Sequence, residues 1–300
     1  MGQKRMSLVA GVVRTVRPHQ WVKNVFVLAP VVFAKEAFDP AVLIRAAGAF
    51  SVFCLLTGAV YTINDLADVE ADRTHPVKRH RPIACGAVPL GIARAMAAAL
   101  IAVALGFATL ISFGFAGVVA GYFLLNLAYS FRLKHLAYVD VVCIATGFVL
   151  RVWGGGVATE IQVSKYLLLC TALLALFLGF GKRRHELSAD GSRAGRQRAA
   201  LESYGRRGLD TAMAVTAVTT LVTYVVYTLD PRTRAFFKSD WLWASALFVL
   251  LGELRFLFLV RNRPKAESPT QEMLKDGPFV AIVAGWIMLV LWVVYNLHPA

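Results

Sequence analysis

Four carboxylates, Asp65, Asp68, Glu70 and Asp72, fall within eight residues of the stretch YTINDLADVEADRTHPVKRHRPIACG (61–86), and four cations, Arg73, Lys78, Arg79 and Arg81, follow them. The block sits at the foot of an apolar run, AGAFSVFCLLTGAV. If residues 64–72 continue the helix of that run, each residue advances by about 100°. Asn64, Asp65, Asp68 and Asp72 then share one face, and Glu70 turns to the far side. Like charges one turn apart destabilise a bare helix, and a divalent cation removes that penalty. Mg²⁺ takes one or two carboxylates and leaves its other positions to substrate phosphate oxygens and water. The pattern N-D-x-x-D-x-x-x-D therefore reads as a site for a Mg²⁺-bound diphosphate, with Asn64, Asp65, Asp68 and Asp72 as ligands. The plainer alternative is an acidic helix end that offsets neighbouring bases.

Such a site needs elements to hold it, and the composition says which kind. The 300 residues are 58% hydrophobic and only 17% charged, with a mean hydropathy of +0.60. Soluble domains are about 45–50% apolar, so a membrane protein is expected. Applying a requirement of about 20 apolar residues per helical crossing gives nine spans. They lie at roughly 23–38, 41–63, 91–112, 115–131, 139–157, 165–181, 211–229, 241–260 and 278–297. The first is short and interrupted by Pro30. No stretch alternates as a barrel strand would. The expected fold is an all-α, nine-helix membrane bundle forming one domain over 1–300, with loops 64–90 and 182–210 capping the site on its cytosolic side. The stretch RQRAALESY in the second loop is expected to form a short helix.

The net charge of +14 raises the question of nucleic acid. With the N-terminus cytosolic, 23 of the 32 Lys and Arg fall on that side and 5 on the other, namely Lys35, Lys165, Arg232, Arg234 and Lys238. The positive-inside rule thus orients the chain and accounts for most of the basicity, so no nucleic-acid partner is expected. Cys54, Cys85, Cys143 and Cys170 have neither CxxC nor metal spacing and read as thiols. The N-terminus lacks an uninterrupted apolar core followed by a cleavage site, so it is read as retained.

The residues NDLADVEADRTHPVKRHRP resemble the first aspartate motif of the UbiA superfamily of intramembrane prenyltransferases. That resemblance covers nearly the whole chain. It implies a nine-helix bundle with a Mg²⁺-dependent diphosphate site. Aromatic prenyltransferases of the superfamily carry a second D-x-x-x-D motif after the sixth span. Here that place reads GFGKRRHELSADG, with Lys182, Arg183 and Arg184 in it and Glu186 the nearby acid. Exchanging anions for cations disfavours a second metal and favours a second phosphate; an ordinary positive-inside cluster is the alternative. Together with RPHQWVKN (17–24), YSFRLKHLAYVD (129–140) and LRVWGGGVAT (150–159), this stretch is similar to the decaprenyl-phosphate phosphoribosyltransferase branch, which serves cell-wall arabinan synthesis.

The branch resemblance implies transfer of 5-phosphoribose from phosphoribosyl diphosphate to a polyprenyl phosphate. Asp65, Asp68 and Asp72 would then hold the leaving diphosphate through Mg²⁺, with Asn64 as a neutral ligand and Lys78 and Arg81 as a clamp. Lys134, Lys182, Arg183 and Arg184 would serve the acceptor phosphate or the 5-phosphate, and the two roles are not separated. Tyr129 and Ser130 would reach phosphate or ribose hydroxyls, or simply pack. Asp140 would orient Lys134, reach the metal, or act as a helix-start acid. Arg151 lies well inside a span, so it is expected to face the bundle interior and a partner, either a phosphate or a buried acid. Trp21 and Lys23 read as interfacial anchors, with Lys23 and Asn24 as further site candidates. Gly154, Gly155 and Gly156 follow no strand and read as close helix packing. Two other functions compete: prenyl transfer from a polyprenyl diphosphate to an aromatic acceptor, against which the missing second acidic motif argues, and a transporter, against which the one-sided charge argues. Lipid chain length and assembly state, a homo-oligomer included, stay open.

Overall fold

The computed structural model describes residues 6–189, 204–262, 272–273 and 275–295. Every regular element among the described residues is helical, and eight helices are long and apolar enough to cross a membrane. The chain falls into two compact units, Met1–Ser130 with Leu150–Gln162, and Phe131–Val149 with Val163–Ala300.

The first unit begins with α1 (Leu8–Val16), a 3₁₀ segment (Pro18–Leu28) and the five-residue α2 (Ala29–Phe33). The expected first span, 23–38, is therefore not one crossing α-helix. Pro30 sits in the first turn of α2, where its missing N–H costs nothing, so it marks a helix start and not a helix interior. The long helix α3 (Pro40–Ala67) starts cleanly because Asp39 accepts hydrogen bonds from Ala41 N (2.7 Å) and Val42 N (3.2 Å) ahead of Pro40. Then come α4 (Val69–Thr74), a 3₁₀ turn (Lys78–His80), α5 (Leu90–Ile111), α6 (Phe113–Phe131) and the second half of α7 (Val139–Thr159).

Phe53 on α3 is fully buried and meets Phe115 and Tyr122 of α6 edge-on, at centroid distances of 6.1 and 5.2 Å. Gly155 supplies the close approach expected of the glycine run: a Cβ there would lie 1.9 Å from the Val27 carbonyl oxygen, so only glycine lets α7 meet the 3₁₀ segment. Buried Thr62 and Thr159 each donate their hydroxyl to the carbonyl four residues back, at 2.8 Å, which removes an unmet donor from an apolar interior. Outward residues such as Leu110 and Phe113 are exposed and apolar, as lipid contact requires.

The second unit holds the first half of α7, then α8 (Lys165–Ala189), α9 (Arg206–Leu229), the short α10 (Pro231–Phe237), a 3₁₀ turn (Trp241–Ala244) leading into α11 (Ser245–Asn262), and α12 (Gly277–Val294). Its core joins Phe177 of α8 to Phe256 of α11, 5.1 Å apart, over Met213 of α9. Arg255 grips Asp276 with both ends of its guanidinium (2.9 and 2.8 Å), and the same Asp276 caps α12 by accepting from Phe279 N. Residues 182–189, expected as loop, lengthen α8, and 206–210 open α9. The RQRAALESY helix falls almost wholly at 196–203, outside the described residues.

Candidate active site

The helix expected to run through 64–72 breaks at Asp68, whose backbone (φ −94°, ψ 6°) ends α3 and opens α4. The rotation survives the break, because Asp68 N still bonds Asn64 O (3.0 Å) and Asp72 N bonds Asp68 O (2.8 Å). Asp65 and Asp72 thus share a face and are buried, at 2% and 3% exposure. Both accept from Arg81 NH1, at 3.2 and 2.7 Å. Glu70 points away and pairs with Arg73 at 2.9 Å.

A second guanidinium completes this face. Arg17 NH2 donates to Asp65 Oδ1 at 2.6 Å, and its carbon lies 4.8 Å over the Tyr61 ring. Arg17 joins α1 to the 3₁₀ segment in a left-handed conformation, φ 55°. Sequence reasoning counted it only as an N-terminal cation; its position directly before Pro18 in RPHQWVKN was the available signal, since the chain must turn there.

Two oxygens on this face are buried and accept no hydrogen bond, Asn64 Oδ1 and Asp65 Oδ2. Orphaned acceptors of this kind are rare and costly. Both are hard oxygen donors, and with the Asp72 carboxylate nearby they suit Mg²⁺, which needs few protein ligands when phosphate supplies the rest. Among the described residues no three His, Cys, Asp or Glu side chains are grouped to hold a metal by themselves. Asp68 is half-buried at the break. Lys78 follows in the 3₁₀ turn, whose entry is held by His75 Nδ1 accepting from Val77 N and Lys78 N at 3.1 and 3.2 Å.

Arg151 faces the interior of the first unit, where Asn24 and Tyr122 are among its partners. Its Nε donates to Asn24 Oδ1 at 2.8 Å and its NH2 to the Tyr122 hydroxyl at 2.6 Å, with the guanidinium 4.8 Å over that ring. Asn24 in turn donates to Thr57 Oγ1 at 3.4 Å. The network fixes the 3₁₀ segment, which carries half-buried Lys23, onto α3, α6 and α7. Tyr129 is half-buried near the end of α6, whereas Ser130 spends its hydroxyl proton on Asn126 O at 2.7 Å.

In the second unit, Asp140 is fully buried and meets partners from α8 and from just before α9. Its Oδ2 accepts from Arg183 Nε at 2.6 Å, and its Oδ1 accepts from the Tyr204 hydroxyl and from Val141 N. Arg183 also pairs with Glu186, and the Tyr204 oxygen accepts from Tyr138 N at 2.7 Å. Burial, and then the Asp140 carboxylate beside it, holds the Tyr204 phenol well above its ordinary range. The three consecutive cations of α8 therefore separate: Arg183 is 2% exposed inside this network, Arg184 pairs with Asp210 (2.8 Å) and Ser188, and Lys182 is half-buried. Lys134 is half-buried in a 3₁₀ turn before α7. Tyr204 is a member the sequence did not point to, because it lies 64 residues from its partner.

Comparison with known proteins agrees with this architecture. The chain is similar to decaprenyl-phosphate phosphoribosyltransferase of Corynebacterium glutamicum, 35% identical over 297 residues that cover 98% of this chain and 89% of the relative. It is similar also to the Mycobacterium tuberculosis protein of the same name, 36% identical over 292 residues, covering 96% and 95%. Among solved structures, a UbiA homolog from Archaeoglobus fulgidus bound to GPP and Mg²⁺ superimposes with a TM-score of 0.70 at 20% identity, covering 95% of this chain and 99% of that one. The model of the UbiA prenyltransferase family matches residues 24–275, and this multi-pass membrane protein belongs to that family.

Proposed function

We propose that the chain is a decaprenyl-phosphate phosphoribosyltransferase, which moves 5-phosphoribose from 5-phosphoribosyl 1-diphosphate to a polyprenyl phosphate and releases diphosphate. The observation that carries this reading is the likeness of nearly the whole chain, at 35–36% identity, to relatives bearing that name. The cations Lys182, Arg183 and Arg184, in place of a second acidic motif, support the same branch.

In the transfer, the bond from the anomeric carbon to the diphosphate oxygen breaks and its electron pair leaves with the diphosphate. A lipid-phosphate oxygen forms the new bond to that carbon. A phosphate monoester has its second pKa near ~6, so the acceptor is already largely dianionic and no base need remove a proton. Bound Mg²⁺ would supply Lewis-acid stabilisation of the departing oxygens. Asn64 Oδ1, Asp65 Oδ2, Asp68 and Asp72 would hold it. Arg81 keeps Asp65 and Asp72 together, and Arg81, Arg17 and Lys78 present donors to diphosphate oxygens. The Arg151 network positions the 3₁₀ segment that bears Lys23 and follows Arg17.

In the second unit, Lys134, Lys182 and Arg184 are the phosphate-binding candidates. Arg183, Asp140 and Glu186 act by fixing the α8 backbone beneath them. Tyr129 offers a hydroxyl for the sugar. The positive-inside count supports a site on the cytoplasmic face of a bacterial plasma membrane. Purified protein given Mg²⁺, ribose-labelled phosphoribosyl diphosphate and polyprenyl phosphate should yield a labelled lipid. Consumption of a prenyl diphosphate with an aromatic acceptor, and no labelled lipid, would overturn the reading.

A further inference from the structure

A second polar site lies in the second unit, at the end of α9 away from Tyr204 and Asp140. Three of the five cations assigned to the sparsely charged side of the membrane, Arg232, Arg234 and Lys238, fall in this one stretch. Asp230 caps α10, with its Oδ1 accepting from Arg232 N at 2.8 Å and Thr233 N at 3.4 Å. The helix buries Thr233 and Phe237 and leaves Phe236 53% exposed. The chain then turns through Lys238 in a left-handed conformation, φ 52° and ψ 38°, into Asp240 and the 3₁₀ turn. Trp241 and Trp243 stand outward, at 59% and 52% exposure.

Arg234, Ala235, Lys238, Ser239, Asp240 and Trp241 line a cavity of about 560 Å³. Arg234 Nε makes no hydrogen bond. Its NH1 approaches Asp240 Oδ1 only to 3.4 Å, an ion pair longer than a good charge-assisted bond. Ser239 Oγ accepts from Trp241 N at 3.2 Å. The guanidinium, 39% exposed as a side chain, is thus held by no strong protein partner, and an anionic oxygen in the cavity would gain a charge-assisted bond from it.

We propose that this cavity binds the phosphodiester headgroup of an anionic phospholipid. Arg234 and Lys238 against Asp240 leave one net positive charge in the lining, which matches a phosphodiester monoanion better than a phosphate dianion. Exposed indoles beside cations are the pattern of the membrane interface, where rings sit at headgroup level. They give the site an apolar rim for the glycerol and upper acyl chain, which free phosphate does not need. The inference is independent of the transfer reaction.

Native mass spectrometry of the full-length protein, incubated with phosphatidylglycerol, phosphatidylcholine or inorganic phosphate, tests it. Wild type should retain phosphatidylglycerol in preference to phosphatidylcholine. Removing one cation should lower that occupancy about fivefold, and removing two about 25-fold. Lys238→Gly is the informative single change, because glycine adopts φ 52° without strain, so binding should fall while Tm stays level or rises. The double variant Arg234→Gln with Lys238→Gly should bind least and keep wild-type transfer activity. Equal phosphatidylglycerol retention by wild type and the double variant would overturn the proposal. So would preference for phosphatidylcholine, or displacement of the lipid by millimolar inorganic phosphate.

Discussion

Asp65, at the end of α3, and Asp140, at the start of α7, are both buried carboxylates that face guanidinium groups, yet their oxygens are used differently. Asp140 has both oxygens engaged, Oδ2 by Arg183 and Oδ1 by Tyr204 and Val141 N. Asp65 crowds Arg17 and Arg81 onto Oδ1 and leaves Oδ2 without a hydrogen bond, beside the equally unbonded Asn64 Oδ1. A closed network of that kind holds helices in register, whereas an open acceptor costs about 1–3 kcal/mol unless something completes it. On the function proposed above, the difference separates a carboxylate that maintains the fold from one kept ready for a ligand.

The largest effect that sharpens this contrast should come from Asp65→Asn. Transfer by the folded fraction should fall about 10³-fold, far more than the accompanying loss of stability accounts for. A steady-state assay beside a thermal melt distinguishes this from misfolding. Arg183→Ala should do the reverse. Removing one partner of a buried ion pair costs about 3–5 kcal/mol, so unfolding midpoints should drop while kcat of the folded fraction is kept. A raised donor KM at unchanged stability would instead make Arg183 a ligand and erase the contrast.

Arg17→Ala tests the residue that links the N-terminal segment to the open carboxylate. Loss of a charge-assisted bond worth about 1.5–3 kcal/mol should raise the donor KM roughly 10-fold or more with only a modest shift in Tm. Tyr204→Phe strips one donor from Asp140 and one acceptor from Tyr138 N. A stability loss of about 1–2 kcal/mol is expected, readable by denaturant titration, with kcat/KM near wild type. At the small end, Glu70→Ala breaks an exposed pair with Arg73 and should change neither activity nor stability measurably.

How much of this could be read from the sequence follows from how local each feature is. The apolar spans and the Asp65–Asp72 face are set by residues within a few turns, so periodicity exposed them. The break at Asp68 has no proline or glycine to announce it. Pro30 marked 23–38 as an interrupted span, yet it was still counted as a crossing; a 3₁₀ segment and α2 occupy that stretch. Arg151 was legible as an inward-facing cation because an isolated charge in a span needs a partner, although Asn24 and Tyr122 were not nameable. Arg17 meets Asp65 across 48 residues and Arg183 meets Asp140 across 43, so only folding shows which cations are taken. The triplet Lys182–Arg184 read as phosphate-binding cations whose roles were not separated; a helix turns consecutive side chains about 100° apart, and Arg183 and Arg184 go to different partners.

The open carboxylate is tested most directly by Mn²⁺ electron paramagnetic resonance, with Mn²⁺ standing in for Mg²⁺, on the purified protein with phosphoribosyl diphosphate, wild type against Asp65→Asn. Wild type should immobilise Mn²⁺ in a diphosphate-dependent manner and the variant should lose that signal while remaining folded. An unchanged Mn²⁺ signal in Asp65→Asn would contradict the assignment of Asp65 Oδ2 and Asn64 Oδ1 as the metal-facing oxygens.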